Sequence, residues 1–261
     1  GNGQDGSESS SGAWISPSQS CSGTAAATTL TIAAAGSFAD DDLVLIHQTR
    51  GTGVGQWEIN LITSGGGTTT LTLQSPLQYT YTDSGASQAQ CVKVFEYESF
   101  NPSGTFTTQD WDGNDEGIAA IAVSGTLTMD ETFTAASKGF VGSLGGHNAT
   151  NNQGEGTGGA GSASDAANGN GASGSLGSVD VCGGNGGGHA AAGSVGNSSV
   201  SAGGATAGSA DLTTMVLGGA GAGGQTSAGT QTGSMTGGDG GGIVVFFAKK
   251  VVVTGAINAN G

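Results

Sequence analysis

Positive charge is nearly absent from this sequence. Five lysines and arginines stand against 20 aspartates and glutamates in 261 residues, a net charge of −15. So acidic a surface repels nucleic acid and anionic lipid, which excludes both as partners held by charge. Aromatic residues make up 5% and charged residues 10% of the chain, so a dense aromatic core and a salt-bridged surface are both under-supplied. No run of 18 apolar residues occurs, and no membrane insertion is expected. The first residues carry neither the basic n-region nor the apolar h-region of a secretion signal, and the reading adopted is that such a signal has been removed.

Cysteines number three. Cys21 lies in the polar stretch SQSCSG and Cys91 opens the strand-like run CVKVFEY. A Cys21–Cys91 disulfide is expected, tying the N-terminal arm to a strand in an oxidising compartment; two unrelated buried thiols are the alternative. Cys182 is the odd one, free or linked to another chain. Catalytic constellations are missing as well. His47, His147 and His189 are scattered, and no Gly-x-Ser-x-Gly elbow accompanies them. The Gly-x-Gly-x-x-Gly matches at Gly154 and Gly169 fall in a stretch too rich in glycine to mean anything. No enzymatic activity is expected.

What the chain has in abundance is glycine. Between Gly139 and Gly242 lie 35 of its 54 glycines, and most of the other residues there are small and polar. Such a segment cannot bury a core of its own, so any order comes from backbone hydrogen bonds or from packing on something else. Three conformations stay open: a bundle of polyproline-II-like helices, ordered loops stacked on a neighbouring fold, and disorder. The short apolar island Leu212 to Leu217 reads as an anchor for the excursion.

The borders of that tract carry the architecture. GIAAIAVSGTLTMDETFTAASKG (residues 117–139) precedes it and GIVVFFAKKVVVTGAINANG (residues 242–261) follows. Both open on Gly-Ile, run apolar without alternation, turn, and offer a second short strand. Each is the size of one coil of a parallel β-helix, and stacked as neighbours they would let the glycine tract leave and re-enter at one edge. Upstream, TTLTIAA, LVLIHQT, QWEINLIT, TTTLTLQ and CVKVFEYESF alternate with turn formers, as in a small antiparallel barrel or sandwich. The expected fold is therefore all-β: a flexible arm over 1–23, a β barrel or sandwich over 24–100, a first β-helix-like unit over 101–139, a glycine-rich insertion over 140–241 and a second β-helix-like unit over 242–261.

Two kinds of binding residue stand out. Asp110, Asp112, Asn114 and Glu116 place oxygen ligands at every second position of a turn, a pattern suited to a hard cation, and calcium is the one cofactor considered; a solvated acidic turn is the plainer reading. Asn148 and Asn197 begin glycosylation sequons. Trp14 and Ile15 are the apolar patch of the arm and the expected assembly contact.

The segments DDLVLIHQTRGTG, GQWEINLIT, PLQYTYTDSGASQAQCVKV, WDGNDEGIAAIAVSGTLTM, SKGFVG and GGGIVVFFAKKVVVTGAINANG together resemble a family of large, secreted, glycine-rich bacterial surface proteins. The resemblance implies an extracellular, structural or adhesive protein, and no catalytic residues. The leading expectation is a subunit that self-associates into a fibre or surface layer by completing an open strand edge. The alternative is an adhesin for cell-surface glycans, with Tyr79, Tyr81 and Trp111 as contacts.

Overall fold

The computed structural model describes residues 1–9, 12–13, 16–143, 146–147, 153–161, 181–182, 187–189, 191–195, 203–223, 225–226 and 236–261. All regular structure among them is strand, with no helix. The chain divides into two units. The first comprises Gly1–Gln48, Gln56–Ala135 and Ile243–Ala259; the second comprises Thr49–Gly55, Ala136–Gly242 and Asn260–Gly261.

In the first unit the early strands are β1 (Ser7–Glu8), β2 (Gly12–Ala13), β3 (Ser18–Ser22), β4 (Thr29–Ile32), β5 (Leu43–Arg50), β6 (Trp57–Ser64), β7 (Thr70–Leu73) and β8 (Gln88–Tyr97). Six of these close on themselves, in the order β8-β3-β4-β7-β6-β5 with β5 returning to β8. The alternation that forms this barrel is plainest in β4 and β7, TLTI and TLTL, where the threonines are exposed and Leu30, Ile32, Leu71 and Leu73 are buried. These four join Phe38, Val44, Ile46 and Ile62 in one core, and each fully buried leucine or isoleucine contributes about 2 kcal/mol. Gly66 lets the loop before β7 pass against Asp40, where a Cβ would strike the backbone of Ala39 and Asp40.

The later strands are β9 (Ser99–Phe100), β10 (Phe106–Thr107), β11 (Ile118–Met129) and β12 (Thr132–Thr134), then, in the second unit, β13 (Gly146–His147), β14 (Val181–Cys182) and β15 (Gln225–Thr226), and finally β16 (Ile243–Val253) and β17 (Ala256–Asn258) back in the first. Parallel pairing dominates here. β11 pairs with β16 from Ile118↔Ile243 to Met129↔Val253, with a shift between Val123 and Thr126, and β12 pairs with β17 through Phe133↔Ile257. Below them, β11 meets the end of β8 and β9, and β12 meets β10. The interior is an aromatic and aliphatic column: Phe100 packs on Phe106 and Phe246 at centroid separations of 5.8 and 6.4 Å, and Phe133 on Phe246 at 5.8 Å.

Two expectations are corrected. The first residues are not a free arm: β1 pairs in parallel with β9, β2 with β10, and β3 is a barrel strand. The segment is polar because little of it faces a core, yet its main chain is engaged; Asp5 N–H donates to Glu96 O at 3.0 Å and Glu98 N–H to Gly6 O at 2.7 Å. Nor does a boundary fall at residue 100. Gln90 to Val92 of β8 pair with β3 of the barrel, and Phe95 to Tyr97 of the same strand pair with β11. Trp14 and Ile15 lie outside the described residues.

The second unit holds together through its backbone. Phe140 and Ser143 N–H donate to Gly218 and Gly221 O, Gly218 and Gly221 N–H to Gly241 and Gly238 O, and Gly240 and Gly237 N–H to Phe140 and Ser143 O. All three sets advance by three residues, the step of a threefold polyproline-II-like helix, with 140–143 parallel to 218–221 and antiparallel to 237–241. Of the island expected to anchor the tract, Met215, Val216 and Leu217 are buried and Leu212 is 60% exposed. Arg50 forms a buried ion pair with Glu155, whose other carboxylate oxygen accepts Val141 N–H at 3.1 Å.

Candidate functional site

The register of the parallel strands puts matching positions on top of one another. Leu127 pairs with Val251, Met129 with Val253 and Phe133 with Ile257. The lower member of each pair is wholly buried at 0% exposure, whereas Val251, Val253 and Ile257 are 47%, 45% and 40% exposed. Among the described residues β16 pairs only with β11 and β17 only with β12, so the last layer also presents main-chain groups without strand partners. Positions that form core in one layer are thus left open in the next. Sequence reading named Trp14 and Ile15 for assembly and overlooked these three residues. The signal was available: VVVTGAIN aligned on LTMDETFT sets Val251, Val253 and Ile257 on interior positions.

The acidic turn is exposed and closed on itself, the geometry of the plainer of its two readings. Asp110, Asp112 and Asn114 are exposed, and Asp112 Oδ1 accepts the N–H groups of Asn114 at 2.8 Å and Asp115 at 3.0 Å, closing the turn on itself. No three His, Cys, Asp or Glu side chains among the described residues are arranged to hold a metal ion, and the four residues chosen for calcium do not form such a set. Asp115, overlooked in the sequence, is the residue the turn delivers to the barrel: Ser18 Oγ donates to its Oδ1 at 2.7 Å. Burial, followed by the charges of Asp115, Asp112 and Asp110, pushes the Glu116 carboxyl up to about 7. Burial also raises Asp115 and Asp83, with Asp112 adding to the first and Asp115 to the second.

Carboxyls that ionise at higher pH folded than unfolded favour the folded state most below the unfolded range, near 4 for free carboxyls, and that advantage is lost as pH rises through about 7. Thermal unfolding followed by circular dichroism is expected to give a lower Tm at pH 8 than at pH 5.5. Glu116→Gln should flatten the slope between them.

Cys21 and Cys91 come together in the barrel. They sit on paired strands β3 and β8, two residues from direct opposition since Cys91 faces Gln19, both buried and both free thiols, so the expected bridge is not formed in this structure. The Cys91 thiol donates to Gln19 O at 3.5 Å, and burial, followed by the neighbouring Cys91, pushes the ionisation of Cys21 well above the ordinary range. Cys182 lies in β14. Asn148 and Asn197 lie outside the described residues. Two of the aromatics proposed as glycan contacts are corrected: Tyr81 and Trp111 are 1% and 2% exposed, and Tyr79 packs on the barrel core.

No family model matches the chain, and no curated protein matches it either. Among solved structures it is similar to the tailspike protein gp49 from Pseudomonas phage LKA1, at 15% identity over 48% of this chain and 26% of the tailspike, with a TM-score of 0.25. The chain spans about a quarter of that protein's length, and a likeness so slight fixes neither fold nor activity.

Proposed function

We propose that this is an extracellular structural protein that self-associates, each copy adding to the uncovered end of the next so that a fibre or surface layer grows. On this reading the four parallel layers are β-helix-like coils, the second unit is a glycine-rich insertion between the last two, and the chain is of the same kind as the glycine-rich bacterial surface proteins it resembles. The observation that carries the proposal is the last layer, whose Val251, Val253 and Ile257 occupy interior positions and remain 40% or more exposed. Burying three such side chains and supplying partners to an open edge strand is a standard driving force for strand addition.

Charge favours a head-to-tail contact. Lys249 and Lys250 are exposed on β16, so two copies meeting tail to tail would set lysines against lysines. Residues 1–49 contain no lysine or arginine, and β1 of the first layer carries Glu8. A head-to-tail contact is heterologous and does not close, which yields an open polymer.

Sedimentation velocity and negative-stain microscopy test this. The chain is expected to form rods whose length grows with concentration, and the paired substitution Val251→Asp with Val253→Asp to leave folded, dispersed monomers. Wild-type protein that stays monomeric across the concentration range would remove the proposal. A glycan array with specific hits on such monomers would favour the adhesin reading instead.

A further inference from the structure

Lys93, on β8, is one of five cations in the chain and is held between two carboxylates. Its Nζ lies 2.8 Å from Asp42 Oδ1 and 3.4 Å from Asp5 Oδ1. All three side chains are largely withdrawn from water, at 16%, 7% and 18% exposure, and the Phe95 ring covers the amine at 5.2 Å. Each carboxylate is aimed by its second oxygen: Asp42 Oδ2 accepts the N–H of Ala39 at 2.8 Å, and Asp5 Oδ2 accepts that of Glu96 at 2.7 Å. The stem of Lys93 is fixed as well, since its N–H donates to Pro17 O and its carbonyl accepts the Ser16 hydroxyl, both at 2.8 Å. An amine, an acid and a second acid are therefore pinned in one half-buried place, reached from three separated parts of the chain.

We propose that Lys93 and Asp42 condense into a side-chain amide, an intramolecular cross-link between β8 and the turn ahead of β5, with Asp5 as the proton relay. In the resting ion pair the proton lies on Lys93. Its transfer to Asp42 gives a neutral amine beside a neutral acid, and Ala39 N–H polarises the carboxyl it holds. Nζ then attacks Asp42 Cγ. The Asp5 carboxylate takes the proton shed by the nitrogen and returns it to the departing hydroxyl, so that one C–N bond forms, one C–O bond breaks, water leaves and Asp5 ends as it began. The net charge of the three groups is unchanged, and no oxidant or cofactor enters. Two charges favour the ammonium, so the reactive form is a minor one. Fixed proximity offsets this: well-oriented groups react as though present at effective molarities on the order of 10⁵ M or more. In a chain with three cysteines, such a bond would fasten the barrel without redox chemistry.

Intact-mass spectrometry of the denatured, reduced full chain tests the proposal. The expected mass is that of the sequence less one water, and proteolysis should release a branched peptide joining the segments around residues 42 and 93. Lys93→Arg keeps a cation between the carboxylates but cannot condense on this path, and should restore the full mass. Asp5→Asn should slow closure at least tenfold in a time course after refolding. Wild-type protein at full mass after prolonged incubation at neutral pH, or a water loss that persists in Lys93→Arg, would overturn the cross-link. Closure at an unchanged rate in Asp5→Asn would remove Asp5 from it.

Discussion

Gly240→Ala is expected to destabilise the glycine-rich unit by about 3 kcal/mol, whereas Gly238→Ala, two residues earlier in the same segment, changes it by about 0.5 kcal/mol or less. The contrast comes from what a methyl group meets. A Cβ at Gly240 would run into the carbonyl of Gly218, and one at Gly237 or Gly142 into the carbonyls of Gly221 or Gly237, all of them backbone atoms that cannot turn aside as a side chain would. At Gly238 a Cβ meets nothing within 4 Å. The two residues share a segment and a solvent, so intrinsic propensity cancels and close approach of main chains is what remains. Hydrogen exchange read by mass spectrometry is the suitable probe, because the tryptophans at 14, 57 and 111 all lie outside residues 136–242. Gly240→Ala should speed exchange at Phe140, Gly218 and Gly221, whose amides are bonded within the bundle, by about a hundredfold for 3 kcal/mol of lost protection. Equal rates in the two variants would mean that the three-residue bonding is not what orders the unit.

Oxidising Cys21 and Cys91 to a disulfide is expected to stabilise the first unit by about 4 kcal/mol, since a bridge over so long a loop removes much freedom from the unfolded chain. The two cysteines lie on neighbouring strands, with Cys91 opposite Gln19 and Cys21 two residues beyond it, and both belong to one core. Closure should nonetheless be slow at neutral pH. Burial pushes the Cys21 ionisation well up, and the thiolate is the attacking species. Denaturation followed by tryptophan fluorescence should show the gain in diamide-treated protein and its loss on reduction, and the Cys21→Ser, Cys91→Ser double variant should respond to neither. An oxidised protein no more stable than the reduced one would show that strain in the diagonal pairing cancels the entropic gain.

The stacking of β11 on β16 was legible in the sequence because both runs are apolar on both faces and open on Gly-Ile, so that Ile118 finds Ile243 without any alternation to fix a face. The barrel strands were legible for the opposite reason, the strict alternation of TLTI and TLTL. The first layer was not. Ser7, Glu8, Gly12 and Ala13 are engaged through main-chain bonds to β9 and β10, and hydrophobic patterning is silent about those. The bundle was half visible. A glycine at every third residue is not sustained along the tract, but close approach of main chains calls for one only where backbones touch, and among the described residues Gly139, Gly142, Gly218, Gly237 and Gly240 are such positions, as are Gly187 and Gly203. The acidic turn was legible as a turn, but oxygen spacing in sequence says nothing about which oxygen closes the loop, a role Asp112 performs for Asn114 and Asp115.

The placing of residues 136–242 between β12 and β16 has a consequence for the order of events as the chain is made. Layers one to three can form as soon as β12 has emerged, but β16 and β17, which cover Leu127, Met129 and Phe133, are separated from them by the whole glycine-rich segment. Until β16 arrives, those three side chains stand bare on a newly made surface, and contacts of such long range close late. Slow synthesis would lengthen that interval, making a holding chaperone, or rapid collapse of the glycine segment that draws the ends together, the step that decides yield.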